Sequence, residues 1–269
     1  MEEAFKGKIS VLMPAHNEAG HIYHNILETQ KVLEEVSIDY EIIVIDDGSQ
    51  DQTYEEASKA VREGTVIVKK TRTNYGKGRA LKYGYRFATG SLVVFLDADL
   101  DLHPRQIRML YDVMKENDAD IVIGSKRHSA SVLQKYPKRR RMISYLYNLF
   151  VRILFASHIR DTQTGLKLFK REILDDIFHR ILVRRFAFDV ELLMVAHHLG
   201  YKIMDAPVVL DFNRVRRMGR VRIKDLLRTW QDTLAIFYRL YIRKQYLKPP
   251  KDYSKDEVVS TLDEKSDFR

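Results

Sequence analysis

Cysteine is absent from all 269 residues. That excludes a disulfide framework and any thiolate-bound zinc site, and it suits a reducing compartment. Long apolar runs are absent as well. No stretch approaches the ~20 consecutive apolar residues a membrane-spanning helix needs. The chain passes from Met1 almost directly into a strand, with no signal-like segment. Membrane association is therefore expected to be peripheral or supplied by a partner. His16, His103 and the His197–His198 pair show no zinc spacing. What is present is a 45% hydrophobic and 31% charged composition, ample for the core of one α/β domain or two small ones. The formal charge of +9 favours anionic partners: nucleotides, nucleic acid or an acidic membrane face.

The stretch Leu92–Leu96 reads as a buried strand, and it runs into Asp97, Asp99 and Asp101 at alternate positions. Unpaired carboxylates are costly to bury, so they belong at the strand's open end. Hard oxygen donors in that pattern suit Mg²⁺ or Mn²⁺, cations that commonly also hold substrate phosphates. The alternative is a solvated acidic turn before the helix that Pro104 helps to start. Tyr40–Ile45 repeats the pattern and ends in Asp46-Asp47-Gly48-Ser49. In a parallel sheet such ends share one edge, where open α/β folds bind ligands.

The first strand, Ile9–Met13, closes on Pro14-Ala15-His16-Asn17-Glu18. Asn17 is placed to cap the following helix, and Glu18 to bind a ligand or to favour the helix dipole. A third short strand, Val66–Val68, leads into Asn74-Tyr75-Gly76-Lys77-Gly78-Arg79 and another helix. Small residues beside a helix N-terminus let backbone amides approach phosphate, while Lys77 and Arg79 add charge. This is neither the P-loop nor the dinucleotide fingerprint, and a simple connector would look similar. With a helix over 104–115 and the strand Ile121–Gly124, the alternation predicts an α/β fold: a mostly parallel central sheet flanked by helices.

Residues 126–141 are strongly basic, with Lys126, Arg127, Lys135, Lys138, Arg139, Arg140 and Arg141. A solvated loop and nucleic-acid binding are the alternatives to an anionic lipid headgroup. Few aromatic rings interleave with the charges, which disfavours nucleic acid. An apolar helix through Tyr145, Leu149 and Phe155 follows; it either buries in the core or guides a lipid chain. Helix 187–199 carries Asp189 and Glu191, one of which is expected to support the metal or the basic cluster. Segments 201–204 and 208–212 read as two edge strands or a broken hairpin. The basic stretch 213–222 includes Arg214, Arg216 and Arg217. Residues 223–248 read as a basic amphipathic helix that either lies on a membrane or faces the core. The tail 249–269 is polar and expected to be disordered.

Six ordered stretches now show a resemblance: Pro14-Ala-His-Asn-Glu18, Asp46-Asp-Gly-Ser49, Asn74-Tyr-Gly-Lys-Gly78, Asp97-Ala-Asp99, Gly124-Ser-Lys-Arg127 and Arg160-Asp-Thr-Gln-Thr-Gly-Leu-Lys-Leu-Phe169. Together they resemble family-2 glycosyltransferases of the GT-A fold. Within that family they resemble the polyprenyl-phosphate glycosyl synthases, a subgroup that includes dolichyl-phosphate glucosyltransferases and mannose synthases. The resemblance covers about residues 8–212 and implies one GT-A domain over 1–222. It implies a nucleotide-sugar donor held near Pro14, Ala15, Asn17, Glu18, Asp46, Asp47 and Lys77, with Mg²⁺ or Mn²⁺ at Asp97, Asp99 and Asp101. Mannose synthases often carry Gln where Asp101 stands. The implied acceptor is polyprenyl or dolichyl phosphate, held by Lys126, Arg127, Arg140 and Ser144, with Asp97, Asp99, Lys126 and Arg140 carrying the reaction. Lys126 replaces the family's usual Arg. Asp161 and Gln163 are expected at the sugar, with turn capping as their structural alternative. The sequence around Arg160 favours glucose from UDP-glucose, with GDP-mannose as the alternative donor. Transfer to a hydroxyl acceptor is a further alternative, which would need a carboxylate base such as Asp161 or Asp189. The expected location is the cytoplasm, peripherally at the cytoplasmic face of an anionic membrane.

Overall fold

The structure is a computed structural model that describes residues 7–36, 38–183, 187–211 and 223–247. In chain order the elements are β1 (Ile9–Ala15), α1 (Ile22–Glu35), β2 (Tyr40–Asp46), α2 (Thr53–Ser58), β3 (Val66–Lys70), α3 (Lys77–Tyr85), β4 (Leu92–Phe95) and α4 (Gln106–Glu116). They continue with β5 (Ile121–Ser125), β6 (Val132–Gln134), α5 (Lys138–Phe155), β7 (Lys167–Lys170), α6 (Arg171–Ile177), α7 (Phe188–His198), β8 (Ile203–Pro207), β9 (Val209–Asp211) and α8 (Ile223–Phe237). A π-helical turn, Tyr238–Ile242, extends α8.

Seven strands form the main sheet in the order β3-β2-β1-β4-β7-β5-β8. β1 pairs in parallel with β2 and β4, β2 with β3, and β5 with β8, while β7 runs antiparallel between β4 and β5. β5 therefore points the same way as β4, and the reversed β7 begins at the edge where its neighbours end.

Both sheet faces are buried, which explains the continuous apolar strands. Leu12, Ile43, Ile45, Val93 and Phe95 face the layer of α3, α5, α6 and α7. Their neighbours Val11, Met13, Ile42, Val44 and Val94 face α1 and α4 on the other side. That is the two-residue alternation of a strand covered twice. Ile236, Leu240 and Tyr246 join the first layer, so the C-terminal helix lays one face on the core.

One pair of local alternatives is decided, in favour of two edge strands, and one expectation is corrected. Segments 203–207 and 209–211 do not form a hairpin: β8 closes the main sheet, whereas β9 pairs in parallel with β6 in a separate two-stranded sheet. Asn17 does not cap α1, whose N-cap position is His21. Asn17 instead adopts φ 59° and accepts the Gln50 N–H at 3.0 Å, tying the first turn to the second. Short polar side chains tolerate that left-handed conformation better than others.

Gly78 fixes how closely α3 meets α7. A Cβ there would lie 2.4 Å from the Phe188 ring. Because that ring is fully buried, neither element can easily give way. Gly78→Val is expected to destabilise the fold by ~2–3 kcal/mol, an overpacking cost that outweighs its gain in helix propensity. Denaturant unfolding monitored by circular dichroism checks this; an unchanged midpoint would refute the close contact.

Candidate active site

The carboxyl ends of β1, β2, β4 and β5 and the start of β7 lie on one edge. Asp46 and Asp47 are there, both buried. Asp46 accepts the Ser49 N–H at 2.9 Å and has Lys70 at 3.7 Å. Asp47 accepts the N–H groups of Tyr75 at 2.9 Å and Gly76 at 2.7 Å. Asp46 therefore closes its own turn, and Asp47 binds that turn to the glycine-bearing loop. Gly48 permits the approach: it has φ 63°, and a Cβ there would lie 2.3 Å from the Thr73 carbonyl carbon. Pro14 and Ala15 end β1 opposite Ile45 and Asp46. The N–H of Asn17 donates to Ser49 Oγ at 2.9 Å, and that of Glu18 to Thr53 Oγ1 at 2.7 Å.

The acidic turn after β4 lies beside this frame. Asp97 pairs with Lys77 at 2.6 Å, and Lys77 stands 3.8 Å from Asp189. Asp189 in turn receives a 2.7 Å bond from Lys167, which is fully buried. Asp189 is thus the α7 carboxylate that supports the acidic turn. Glu191 faces elsewhere and accepts the N–H groups of Leu182 and Val183 at 3.0 and 2.7 Å. Burial pushes the Asp97 carboxyl up, but Lys77, Lys167 and Lys126 hold it below its ordinary range. Asp99 shows the opposite balance. The residue is exposed at the rim of the site, but desolvation by the protein around the carboxyl, with the like charges of Asp97, Asp101 and Glu18, pushes it up to about 7.

Among the described residues, no group of three His, Cys, Asp or Glu side chains forms a ready metal cage. The donor set nevertheless fits Mg²⁺ or Mn²⁺. Such ions are commonly held by one or two carboxylates together with substrate phosphates. A crowded carboxylate such as Asp99 is relieved by a cation. The Asp101 N–H donates to Asp99 Oδ1 at 3.2 Å, closing the turn.

On the other side, β5 delivers Lys126 and Arg127. A cavity of about 430 Å³ is lined by Lys126, Arg127, Arg141 and Ser144, with Tyr136 and Tyr145 among its walls. Arg127 donates to Ser144 Oγ at 3.3 Å and lies over the Tyr145 ring at 5.3 Å. Burial disfavours the Lys126 ammonium, but Asp161, Tyr136, Asp101 and Asp97 more than offset this and raise its pKa. Lys126 therefore belongs electrostatically to both the cavity and the acidic turn. Asp161 is buried and accepts the Lys126 N–H at 3.0 Å, while Gln163 is exposed. Arg140 lies on α5, but its side chain is outside the described ones, as are residues 212–222 with Arg214, Arg216 and Arg217 and the tail from 248.

Sequence reasoning missed Lys167, Tyr136 and the particular role of Arg141. A lysine inside the apolar strand Leu166–Phe169 was the available signal for the first. The two cavity residues are indistinguishable in sequence from other surface tyrosines and arginines.

An α/β domain that gathers an acidic turn, a lysine-bearing loop and a basic cavity at one sheet edge has the architecture of a GT-A glycosyltransferase. A glucosyl-3-phosphoglycerate synthase from Mycobacterium tuberculosis, crystallised with Mn²⁺, UDP-glucose and phosphoglyceric acid, shares the fold with a TM-score of 0.64 and 19% identity over 91% of this chain and 81% of that one. The chain belongs to Glycosyl transferase family 2, whose profile matches residues 10–189. It is 30% identical to a dolichyl-phosphate beta-glucosyltransferase of Dictyostelium discoideum, over 83% of this chain and 76% of the relative. It is 32% identical to another of that name from Trichomonas vaginalis, over 86% and 74%.

A cation held by Asp99 would have to displace its proton. With Asp99 raised to about 7, such a site would lose affinity below about pH 7. Mn²⁺ binding measured by calorimetry is expected to weaken by about tenfold per pH unit below that point. In Asp99→Asn this pH dependence is expected to flatten, and an unchanged profile in the variant would refute the assignment.

Proposed function

We propose that this chain transfers glucose from UDP-glucose to dolichyl or another polyprenyl phosphate, with inversion at the anomeric carbon. The observation that carries this reading is the basic cavity beside the acidic turn, with Lys126 coupled to both. The names of the two relatives, dolichyl-phosphate beta-glucosyltransferase, support the acceptor and the sugar. UDP as the donor nucleotide rests on the resemblance of Arg160-Asp-Thr-Gln-Thr-Gly165 to the glucosyltransferase branch.

A phosphate monoester is ionised near neutral pH and needs no side-chain base. Its oxygen bonds to the anomeric carbon as the bond from that carbon to the donor diphosphate breaks, and the electron pair leaves with the nucleoside diphosphate. The difficulty is the approach of two anions, which Lys126, Arg127 and Arg140 relieve. Asp97 and Asp99, with Asp101 beside them, would hold Mg²⁺ or Mn²⁺. That ion, when bound, supplies positive charge to the departing diphosphate. Transfer to a hydroxyl is less well supported. Asp161 is buried against Lys126, and Asp189 is engaged by two ammonium groups, so neither is open to an incoming hydroxyl.

The lipid must reach this cavity from a bilayer. Among the described residues, no helix is long and apolar enough to cross a membrane. However, α5 exposes Met142, Tyr145, Leu146, Leu149 and Ile153, and the helix of α8 exposes Trp230, Leu234, Tyr238 and Ile242. Trp230 stacks on Phe150 with ring centroids 4.2 Å apart, so the two exposed faces adjoin. Arg141, Arg152 and Arg228 are exposed on the same helices, and Arg243 is exposed just beyond the second. Apolar side chains flanked by arginines match an anionic bilayer interface, and this supports a peripheral enzyme at the cytoplasmic face.

A panel of UDP-glucose and GDP-mannose, with and without dolichyl phosphate and Mg²⁺, tests the reading. Metal-dependent glucolipid formation is expected, and transfer only to hydroxyl acceptors would overturn it. Asp99→Ala is expected to lower turnover by ~10²-fold or more with the fold retained. Arg140→Ala should raise KM for dolichyl phosphate more than KM for the donor, and equal losses would reject the acceptor role. Leu146→Asp combined with Ile153→Asp should weaken affinity for phosphatidylserine-containing vesicles, read by cosedimentation, by ~10²-fold or more, since each buried apolar side chain contributes ~1.5–3 kcal/mol. Unchanged binding would reject the membrane face.

A further inference from the structure

Lys77 opens α3 at the end of the glycine-bearing loop, and its side chain is 30% exposed. Its ammonium lies 2.6 Å from Asp97 Oδ1 and 3.8 Å from Asp189 Oδ2. The second oxygen of Asp189 is fixed at 2.7 Å by the buried Lys167. A buried ammonium is costly without a partner, so Lys167 holds Asp189 in place, and Asp189 helps define where Lys77 rests. Asp97 Oδ2 lies against Gly165, where a Cβ would come within 2.3 Å, and the side chain as a whole is 37% exposed. Asp97 is thus held between the Gly165 backbone and a cation on a flexible stem, with part of the carboxylate open to solvent. The four charges of Lys167, Asp189, Lys77 and Asp97 alternate and cancel.

We propose that Lys77 is an exchangeable counter-ion: it rests on Asp97 until a nucleoside diphosphate arrives, then transfers its ammonium to the diphosphate and leaves Asp97 free to take the divalent cation. This rests on the donor-and-metal reading above. An ammonium on Oδ1 and a divalent cation on the same carboxylate repel each other, so each weakens the other's binding there. A diphosphate attracts the ammonium strongly, and the flexible lysine stem lets that ammonium move without a change in the backbone. The buried Lys167–Asp189 pair stays behind as a fixed base to which Lys77 returns when the nucleotide departs. Metal and diphosphate then bind in order and help each other, because each favours the same displaced position of Lys77.

The test is Mn²⁺ binding to the full chain, followed by electron paramagnetic resonance or calorimetry, with and without UDP or GDP. In Lys77→Met the nucleotide-free Mn²⁺ affinity is expected to rise by about tenfold, while metal-free nucleotide affinity falls by a similar factor. A merely structural role for Lys77 would weaken both, so opposite signs identify the exchange. Adding Asp97→Asn to Lys77→Met should abolish the gained Mn²⁺ binding. Lys77→Gln should repeat the result, and circular dichroism keeps a folding defect distinguishable. Unchanged or weaker nucleotide-free Mn²⁺ binding in folded Lys77→Met, with normal binding of wild type in the presence of nucleotide, would overturn the exchange alone. Failure of the wild-type chain to bind Mn²⁺ even with UDP or GDP would overturn both the exchange and the donor-and-metal reading.

Discussion

The structure turns on the electrostatics of carboxylates crowded at the carboxyl ends of parallel strands. Buried strands cannot carry these charges within their length, so the acids collect where the chain leaves the sheet. Right-handed crossovers bring those exits to one edge. Each acid there must find a partner. Asp46 and Asp47 find backbone N–H groups, and Asp97 finds Lys77. Asp99 remains crowded by its neighbours and is pushed up to about 7.

The opposite edge shows what a purely structural carboxylate looks like in the same protein. Glu41 is buried at the start of β2, where Ser10 donates at 2.6 Å and Lys8 pairs at 2.8 Å. Thr89 donates through its backbone and its hydroxyl. Burial raises its pKa, but those bonds more than compensate and leave it lowered. Glu41 and Asp99 are both acids near the ends of central strands. Glu41 is saturated with donors, whereas Asp99 faces other acids, and that difference separates a carboxylate satisfied by the scaffold from one left crowded by like charge.

The C-terminal helix packs one face on the core and leaves a second apolar face exposed, so the two alternatives its pattern left are not exclusive. Thr229, Thr233, Ile236 and Leu240 are buried, while Trp230, Leu234 and Tyr238 are exposed. Its core side is secured near Glu191, which accepts the Tyr246 hydroxyl and stands 3.7 Å from Arg239. A helix with apolar residues around much of its circumference can satisfy a core with one face and still present another. A face held in this way is rigid, and a rigid face loses less conformational entropy on docking than a tethered one.

Local signals made much of the fold legible. Continuous apolar strands ending in acids, alternating with amphipathic helices, predict a doubly covered, mostly parallel sheet. The same signals identified Asp97, Asp99, Lys126 and Arg127 as residues at the ends of successive strands, because a carboxylate or cation at such a boundary is visible in one dimension. Tertiary structure alone decided the reversed direction of β7, the separation of β8 from β9 and the partner of each charge. Strand direction depends on which neighbour is available. The Lys167–Asp189–Lys77–Asp97 chain joins residues from four elements, and no periodicity records such a meeting. Sequence fixed which groups would be costly to leave unpaired; only the folded chain determined how each was paired.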